Sequence, residues 1–471
     1  MKKLLASILF AILSLGLFAQ DGPDSWKDEP TRLMIWLDTE DYTSDRSNDA
    51  ILGIARTLEA EGVRGHFVIA GQVCKWLMDN KRYDVIEALK HHIVGTQSLY
   101  HSFHPNITEM SDLECYDEAY TLVLAEESEC AGMIKAVIGV DSLSVSDWPG
   151  DGASYVADDV MADMGVIFHG DSGVFEGASD GVWYQNRYHI PYWSQFGLDK
   201  LNPRYGSNYD LDKELDRLAQ QKLVCLYSHP HMAVRNEHWD IPHFNKGNLV
   251  KFGEWLPPTP VPEAETDEYY RRLGALIRRI KADPRFELID IGQLRADLNP
   301  RHNISMAEIP AIREALAADF GPVSEPASWC VADCFQAVVH LLAGESEFVP
   351  GKVYGFLDAP KGVSKPVTLR AEDLRDAAAE MDLSRHLPAS VRVGRHVIGP
   401  ADFLFAALEV LETGADKVRI YPREQLGDIA AKLPALANFK QDGWGTYSPD
   451  FKDNWLSDRL RLQFWTLRYE N

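Results

Sequence analysis

The chain has 471 residues, which at about 100–200 residues per domain predicts two or three domains, and its 45% hydrophobic content can form a buried core. Its 47 basic and 71 acidic residues give a net charge of −24. This charge argues against non-specific nucleic-acid binding and against docking on anionic lipid, because both need a basic surface. A neutral or partly cationic polymer is a better-matched ligand.

The N-terminus has the pattern of a secretory signal. Lys2 and Lys3 precede an apolar run at residues 4–18, and a polar stretch begins after residue 20. The run is shorter than the ~20 residues that cross a bilayer, so we expect residues 1–20 to be a cleaved signal peptide. The expected location is periplasmic or secreted, with no integral membrane segment after cleavage.

Predicted strands and helices alternate between residues 30 and 300, which favours parallel βα units and a barrel-like α/β domain. Polar clusters follow several of the strands, and enzymes with this architecture place their sites at that end. The predicted strands are residues 32–37, 65–71, 93–98, 165–168, 222–227 and 286–291, and the clearest predicted helices are residues 83–92 and 265–282.

Residues 301–471 have a different texture and predict a mainly helical domain with two related repeats. Residues 332–342 resemble residues 401–411, and residues 372–378 resemble residues 424–430. Each copy predicts an apolar helix, a connector and a second helix, and two such units can bury each other's apolar faces. Residues 390–408 also resemble, loosely, the repeats by which archaeal wall enzymes bind pseudomurein. Glycan or wall binding and simple packing on the barrel are both open for this domain.

Three carboxylates, Asp38, Glu40 and Asp41, follow the first predicted strand. Carboxylates are costly to desolvate, so their position at a strand end indicates a bound cation or acid–base chemistry. His101 and His104 lie within one turn after a later strand. Two imidazoles and a carboxylate form a three-ligand open site of the kind that holds catalytic zinc.

His229-Pro230-His231 ends another predicted strand, where a histidine could protonate a leaving group or stabilise an oxyanion. Aromatic residues in predicted turns and loops are candidates for stacking on sugar rings. We expect Trp148, followed by Pro149, to be an exposed turn aromatic, and Trp183 and Tyr192 to add to this surface.

The order of these motifs resembles the polysaccharide deacetylase (NodB-homology) family over residues 31–298. Four segments carry the resemblance: LDTEDY at residues 37–42, HIVGTQSLYH at 92–101, WPG at 148–150 and LYSHP at 226–230. The resemblance implies a distorted (β/α) barrel and a metal-dependent hydrolase of N-acetyl groups on peptidoglycan, a chitin-like polymer or an exopolysaccharide. Zinc is the expected metal.

The resemblance also implies roles for individual residues. Asp38 matches the catalytic base and His229 the general acid, while Glu40 or Asp41 matches the acidic metal ligand. His101 matches the second histidine ligand, and His104 is a candidate replacement for the first.

Two positions depart from the family pattern. Gln97 stands where the first histidine ligand belongs, and an amide oxygen is a poorer zinc ligand than imidazole. Asp147 stands where an arginine normally orients the base. We assign Gln97 and His231 to substrate binding, together with Trp148, Pro149 and Trp183.

These departures keep alternatives open. A non-catalytic glycan-binding protein on a degenerate deacetylase barrel is the main one, with the C-terminal repeats supplying wall attachment. A hydrolase of different chemistry on the same barrel is another, and it would need a carboxylate pair across the site. The specific glycan and the oligomeric state are not encoded in these motifs.

Overall fold

A computed structural model describes residues 29–171, 174–175, 178, 180–192, 197–205, 210–244, 249–441 and 447–470, so the predicted signal peptide lies outside the described residues.

The first strand shows how the sequence builds the fold. The first strand extends over Thr31–Thr39, contains the predicted apolar run and is buried almost throughout. Apolar side chains on both faces are typical of a parallel strand covered on both sides.

The main sheet is parallel over most of its width and curls into a barrel. Its strands follow the order β7-β5-β4-β3-β2-β1-β8, and β9 also pairs with β1. A parallel bridge between Tyr192, directly after β7, and Cys225 of β8 brings the two ends of the curled sheet together. The strands are β1 (Thr31–Thr39), β2 (His66–Ile69), β3 (Ile93–Thr96), β4 (Val145–Ser146), β5 (Phe168–Asp171), β6 (Val182–Tyr184), β7 (Arg187–Pro191), β8 (Leu223–Ser228) and β9 (Phe286–Leu288).

Helices cover the outside of this sheet. The amphipathic helices between the strands place apolar residues such as Ile54 and Leu273 against it, where both are fully buried. The helices of this region are α1 (Asp45–Ala60), α2 (Gly71–Asp79), α3 (Tyr83–Leu89), α4 (Ile107–Ser111), α5 (Tyr116–Ile134), α6 (Tyr155–Asp163), α7 (Leu211–Leu218), α8 (Ile241–Phe244), α9 (Glu263–Ala282) and α10 (Ile291–Asp297). The observed sheet and its helices confirm the predicted barrel-like α/β fold.

The remainder of the chain is rich in helices, as predicted, with short two-stranded sheets between them. Its helices are α11 (Ile309–Ala318), α12 (Val331–Leu342), α13 (Ala371–Ala379), α14 (Pro400–Thr413), α15 (Ile429–Lys432), α16 (Pro434–Asn438) and α17 (Leu456–Leu462). Its strands are β10 (Ile304–Ser305), β11 (Glu347–Phe348), β12 (Val367–Arg370), β13 (Val391–Val393), β14 (His396–Ile398), β15 (Lys417–Ile420) and β16 (Arg468–Tyr469). Within the described residues no helix is both long and apolar enough to cross a membrane.

The two predicted repeats agree in their first helix and differ in their second. Helices α12 and α14 pack together through Phe335 and Phe403, whose ring centroids are 5.7 Å apart. The second helix of the first copy is α13, but residues 424–430 form a helix only from Ile429. Gly427 has a φ of 94° and lies against the backbone of Phe320, so a continuous helix is broken there.

The end of the chain returns to the barrel. Strand β16 pairs antiparallel with β6, with Arg468 opposite Trp183 and Tyr469 opposite Val182. The last residues of the predicted helical region therefore add an edge strand to the sheet of the barrel region.

Candidate active site

The alternation of side chains along β1 places its last residues at the mouth of the barrel. Met34 and Trp36 are buried in the core cluster enclosed by the sheet, whereas Leu33, Ile35 and Leu37 belong to the cluster formed with the helices. Because side chains two apart share a face of a strand, Asp38 continues the inner row. Both Asp38 and Glu40 are 4% exposed.

Strands β7 and β8 deliver two further groups to the same end by the same rule. On β7, Tyr188 and Ile190 face the inner cluster, and Tyr192 continues their row. On β8, Cys225 faces the inner cluster, and His229 lies four residues further on the same face. Since β1, β7 and β8 all run in parallel, their carboxyl ends form one edge of the barrel.

Asp38 is held between Tyr192 and His229. The Tyr192 hydroxyl lies 3.2 Å from Asp38 Oδ1, and His229 Nε2 lies 3.5 Å from Asp38 Oδ2. Burial raises the pKa of Asp38 to about 7, although His229 opposes this effect. The same tyrosine hydroxyl hydrogen-bonds to Asp147 Oδ2. One hydroxyl has one proton to donate, so both contacts are hydrogen bonds only when one of the two carboxyl groups carries a proton.

His229 is oriented by Asp199. His229 Nδ1 lies 2.9 Å from Asp199 Oδ2, and the backbone N–H of His229 donates to Asp199 Oδ1 at 3.1 Å. The Ser228 hydroxyl donates to the same Oδ1 at 2.9 Å. Burial lowers the pKa of His229, but the hydrogen bond and charge of Asp199 outweigh it and hold the pKa well above its usual range. The imidazole is thus protonated, with Nε2 directed toward Asp38.

Glu40 has two ring partners. Trp239 Nε1 donates to Glu40 Oε1 at 3.0 Å, and His101 Nε2 lies 2.8 Å from Glu40 Oε2. Burial raises the pKa of Glu40, but the charge and hydrogen bonding of His101 lower it overall to about 2. The carboxylate is therefore ionised inside the protein.

The backbone and the far side of the ring fix His101. Its φ is 52°, a left-handed conformation that is costly for a residue with a Cβ and is concentrated at functional sites. Ser102 Oγ lies 2.7 Å from His101 Nδ1 and 3.3 Å from Asp240 Oδ2. Burial raises the pKa of Asp240 to about 6. A chain of polar groups thus connects Asp240 to Glu40 through the imidazole.

His231 and His238 complete the polar edge. His231 is 1% exposed, and neither of its ring nitrogens has a hydrogen-bond partner among the described residues. Burial lowers its pKa well below the usual range and lowers the pKa of His238 to about 4, so both imidazoles are neutral. Potential ligand atoms of Glu40, His231 and His238 all lie within 4.8 Å of one another. One carboxylate and two neutral imidazoles fit a divalent cation such as zinc.

Asp41 lies apart from this cluster in a network of its own. Its Oδ1 accepts from the backbone N–H and hydroxyl of Thr43, at 2.8 and 2.6 Å. Its Oδ2 accepts from Ser47 Oγ at 2.6 Å and Arg235 Nη1 at 2.8 Å. Among the described residues, Glu40 but not Asp41 belongs to a group with two histidine ligand atoms within 4.8 Å, so the geometry favours Glu40 as the acidic ligand.

His104 does not join the cluster either. His104 Nδ1 lies 2.8 Å from Glu109 Oε2, and Glu109 also forms the capping box of α4 with Asn106. The His104 ring therefore supports the N-terminal cap of α4. Gln97 is buried directly after β3, and its Oε1 has no hydrogen-bond partner within the described part of the chain.

The aromatic residues expected to stack on substrate are placed differently from the prediction. The expectation that Trp148 is exposed is wrong, because it is 4% exposed and packs against His169 and the Arg187 guanidinium. Pro149, which follows it, is buried as well and starts a short 3-10 turn. Neither residue presents a surface to a sugar ring.

Trp183 also lies away from the site. It pairs with Tyr188 at the start of β7, whereas Tyr192 follows the end of that strand. Four residues of extended chain separate the two positions by about 13 Å. Trp183 Nε1 donates to Glu470, and the Arg468 guanidinium covers its ring at 4.9 Å. The C-terminal strand thus occupies this surface.

Sequence reasoning did not assign roles to several residues of the site. Tyr192 was expected only as a loop aromatic, although the row Tyr188, Ile190, Tyr192 carried a signal for its inward face. His238 follows His229 and His231 closely enough to suggest a third histidine of the same edge. Asp199, in the short 3-10 helix Leu198–Leu201 between β7 and α7, had no such signal.

Comparisons with known proteins give only distant likenesses. No family model matches the chain, and no curated protein matches it. The solved structures similar to it include a 4-alpha-glucanotransferase from Thermococcus litoralis, with 10% identity, a TM-score of 0.39 and coverage of 58% of this chain and 41% of that chain. A candidate polysaccharide deacetylase from Mycobacterium smegmatis has 13% identity, a TM-score of 0.38 and coverage of 60% and 96%.

The peptidoglycan deacetylase PdaC from Bacillus subtilis, in a mutant form, is also similar, with 14% identity and a TM-score of 0.28. That alignment covers 62% of this chain and 96% of the other. The chain spans less than half the length of the glucanotransferase. At these identities the reaction has to be inferred from the residues of the site.

Proposed function

We propose that this protein is a metal-dependent hydrolase that removes N-acetyl groups from an extracytoplasmic polysaccharide. The observation that carries the proposal is the arrangement of Asp38 and the Asp199–His229 pair beside a cluster of Glu40 and histidines. A base, an acid and a candidate cation site thus share one buried edge of the barrel. The extracytoplasmic location depends on residues 1–20, which lie outside the described residues.

Asp38 is the proposed general base. Its carboxylate takes a proton from the attacking water, whose oxygen forms a bond to the carbonyl carbon of the acetamide. When bound, a divalent cation supplies Lewis-acid polarisation of that carbonyl. Tyr192, whose hydroxyl lies 3.2 Å from Asp38 Oδ1, is a positioning residue that holds the carboxylate toward the barrel mouth.

His229 is the proposed general acid. As the C–N bond of the acetamide breaks, the proton on Nε2 passes to the departing nitrogen, which leaves as the free amine of the sugar beside one acetate. Asp199 keeps the imidazole protonated and turned correctly through its contact with Nδ1. Nε2 of His229 and Oδ2 of Asp38 are 3.5 Å apart, so acid and base face the same small volume.

Acetate release from N-acetylglucosamine oligomers and from peptidoglycan, measured with added zinc, tests this function. Wild-type protein should release one acetate for each free amine formed, and Asp38→Asn should lower kcat by about 10²- to 10⁴-fold. Asp79→Asn, at the exposed end of α2, is the matched control and should keep full activity.

Zinc bound to a folded wild-type protein without acetate release from either polymer would contradict the proposal. That result would favour the non-catalytic glycan-binding alternative, for which Gln97 and Asp147 at their positions in the family pattern are the supporting features.

A further inference from the structure

The segment after β8 brings more metal-binding side chains to the barrel mouth than the segment after β3. His231 lies in the short turn Pro230–Ala233, and His238 follows seven residues later. Their ring nitrogens and a carboxylate oxygen of Glu40 lie within 4.8 Å of one another. The sequence resemblance instead directs attention to His101 and to position 97, both after β3.

We infer that the divalent metal is held by Glu40, His231 and His238, with His101 as a positioning residue for Glu40. The reaction of this centre rests on the proposed function, but metal binding can be measured without it. The set of one carboxylate and two imidazoles leaves a coordination position open, as catalytic zinc sites require.

The hydrogen bonding of His231 is the main support. Burying an imidazole without partners is costly, and His231 is 1% exposed with both nitrogens unpartnered among the described residues. A cation bonded to one of these nitrogens removes part of that cost. His101 and His104 each have one ring nitrogen in contact with a neighbour, Ser102 and Glu109 respectively, and neither belongs to a group of three ligand atoms within 4.8 Å of one another among the described residues.

A second possible group shares His238 but is less suited to the metal. Ligand atoms of Asp199, His229 and His238 also lie within 4.8 Å of one another. However, two members of this group contact each other directly, His229 Nδ1 and Asp199 Oδ2 at 2.9 Å, so a metal bound to both would break the contact that orients His229. Metal at Glu40, His231 and His238 leaves the Asp199–His229 pair intact for proton transfer.

The role of His101 follows from its two contacts. Its ring connects the Asp240–Ser102 pair to Glu40, an arrangement by which outer-shell groups orient ligands and tune metal affinity. Replacing an outer-shell group typically costs about 10- to 100-fold in affinity, whereas loss of a ligand costs more. This difference separates ligands from positioning residues experimentally.

Zinc binding measured by calorimetry and by metal content after dialysis tests the inference. Wild-type protein should bind one zinc, and Glu40→Gln, His231→Ala and His238→Ala should each lose more than the roughly 100-fold expected of an outer-shell change. His101→Ala should lose about 10- to 100-fold, and the control variant His104→Ala should bind as wild type. Because His231 is buried, thermal unfolding of the metal-free variants is checked first, and the partly exposed His238 serves if His231→Ala does not fold.

Retention of zinc by folded His238→Ala, or its loss from His104→Ala, would overturn the inference. The same samples separate this result from the proposed function. Zinc bound through these three residues without acetate release contradicts the function alone, whereas acetate release with zinc retained in His238→Ala contradicts the metal assignment alone.

Discussion

The buried carboxyl group of Glu127 should make the free energy of unfolding depend on pH, and Glu127→Gln should abolish this contribution. Glu127 lies on α5 with 0% exposure, where the Thr96 hydroxyl donates to Oε2 at 3.1 Å and Oε1 has no partner in the described structure. Burial raises the pKa of this group from its ordinary 4.5 to about 8. The folded protein therefore holds a proton at pH 7 that the unfolded chain releases.

The sign and size of the effect follow from linkage. Below pH 4.5 the carboxyl group is protonated in both the folded and the unfolded protein, so its raised pKa does not change the free energy of unfolding. Between pH 4.5 and about 8 only the folded protein keeps the proton, so the free energy of unfolding falls as pH rises. Each unit of pH costs about 1.4 kcal/mol in this interval, for a total on the order of 5 kcal/mol by pH 8. Glutamine keeps the shape without the charge, so the variant should escape this loss.

Urea unfolding of both proteins at pH 5, 6, 7 and 8 measures the prediction. The gap in unfolding free energy between Glu127→Gln and wild type should widen steadily with pH. Glu129→Gln, an exposed position on the same helix, is the control and should track wild type. A gap that stays constant from pH 5 to pH 8 would refute the reasoning, because it would show that Glu127 is not protonated in the folded state.

Three further predictions concern the site and its support. Tyr192→Phe should lower kcat for acetate release by about 10- to 100-fold with little change in KM, because it removes one hydrogen bond that positions the base; a KM effect alone would contradict this. Asp199→Asn should lower kcat by about 10²-fold or more while zinc content stays at one equivalent; loss of zinc would place Asp199 among the ligands. Arg235→Met should destabilise the fold by about 3–5 kcal/mol in urea unfolding, since it leaves the buried Asp41 carboxylate without its ion pair; an unchanged midpoint would contradict that role.

The barrel could be predicted because its signals are local. The apolar run at residues 32–37 became the strand Thr31–Thr39, and the helical pattern at residues 265–282 became Glu263–Ala282. The pairing of Arg468–Tyr469 with β6 had no local signal, since it joins residues almost 300 positions apart. Likewise, residues 424–430 have a helical pattern, but the close approach of Gly427 to Phe320 decides their conformation.

The site was predictable where strand ends carry it. Asp38 lies at the end of a strand and Glu40 and His229 directly follow strands whose apolar runs are evident, and the structure places all three at one edge of the barrel. Residues contributed by short turns between the main elements could not be placed, because their positions depend on the fold around them. Asp199 meets His229 across 30 positions, and Trp239 meets Glu40 across 199.

The contacts of Asp147 could likewise be recognised only from the folded structure. In the sequence it is only an unexpected residue at the position of a basic group. In the structure it shares the Tyr192 hydroxyl with Asp38, so a tyrosine contacts the proposed base where the sequence resemblance leads one to expect an arginine.

Diffraction from crystals of Asp38→Asn soaked with zinc and an N-acetylglucosamine oligomer tests the central claim most directly. We expect an anomalous zinc peak contacted by Glu40, His231 and His238, with the acetamide of one sugar lying between that peak, position 38 and His229. Zinc bound elsewhere, or an oligomer bound with no acetamide at this edge of the barrel, would contradict the proposed site.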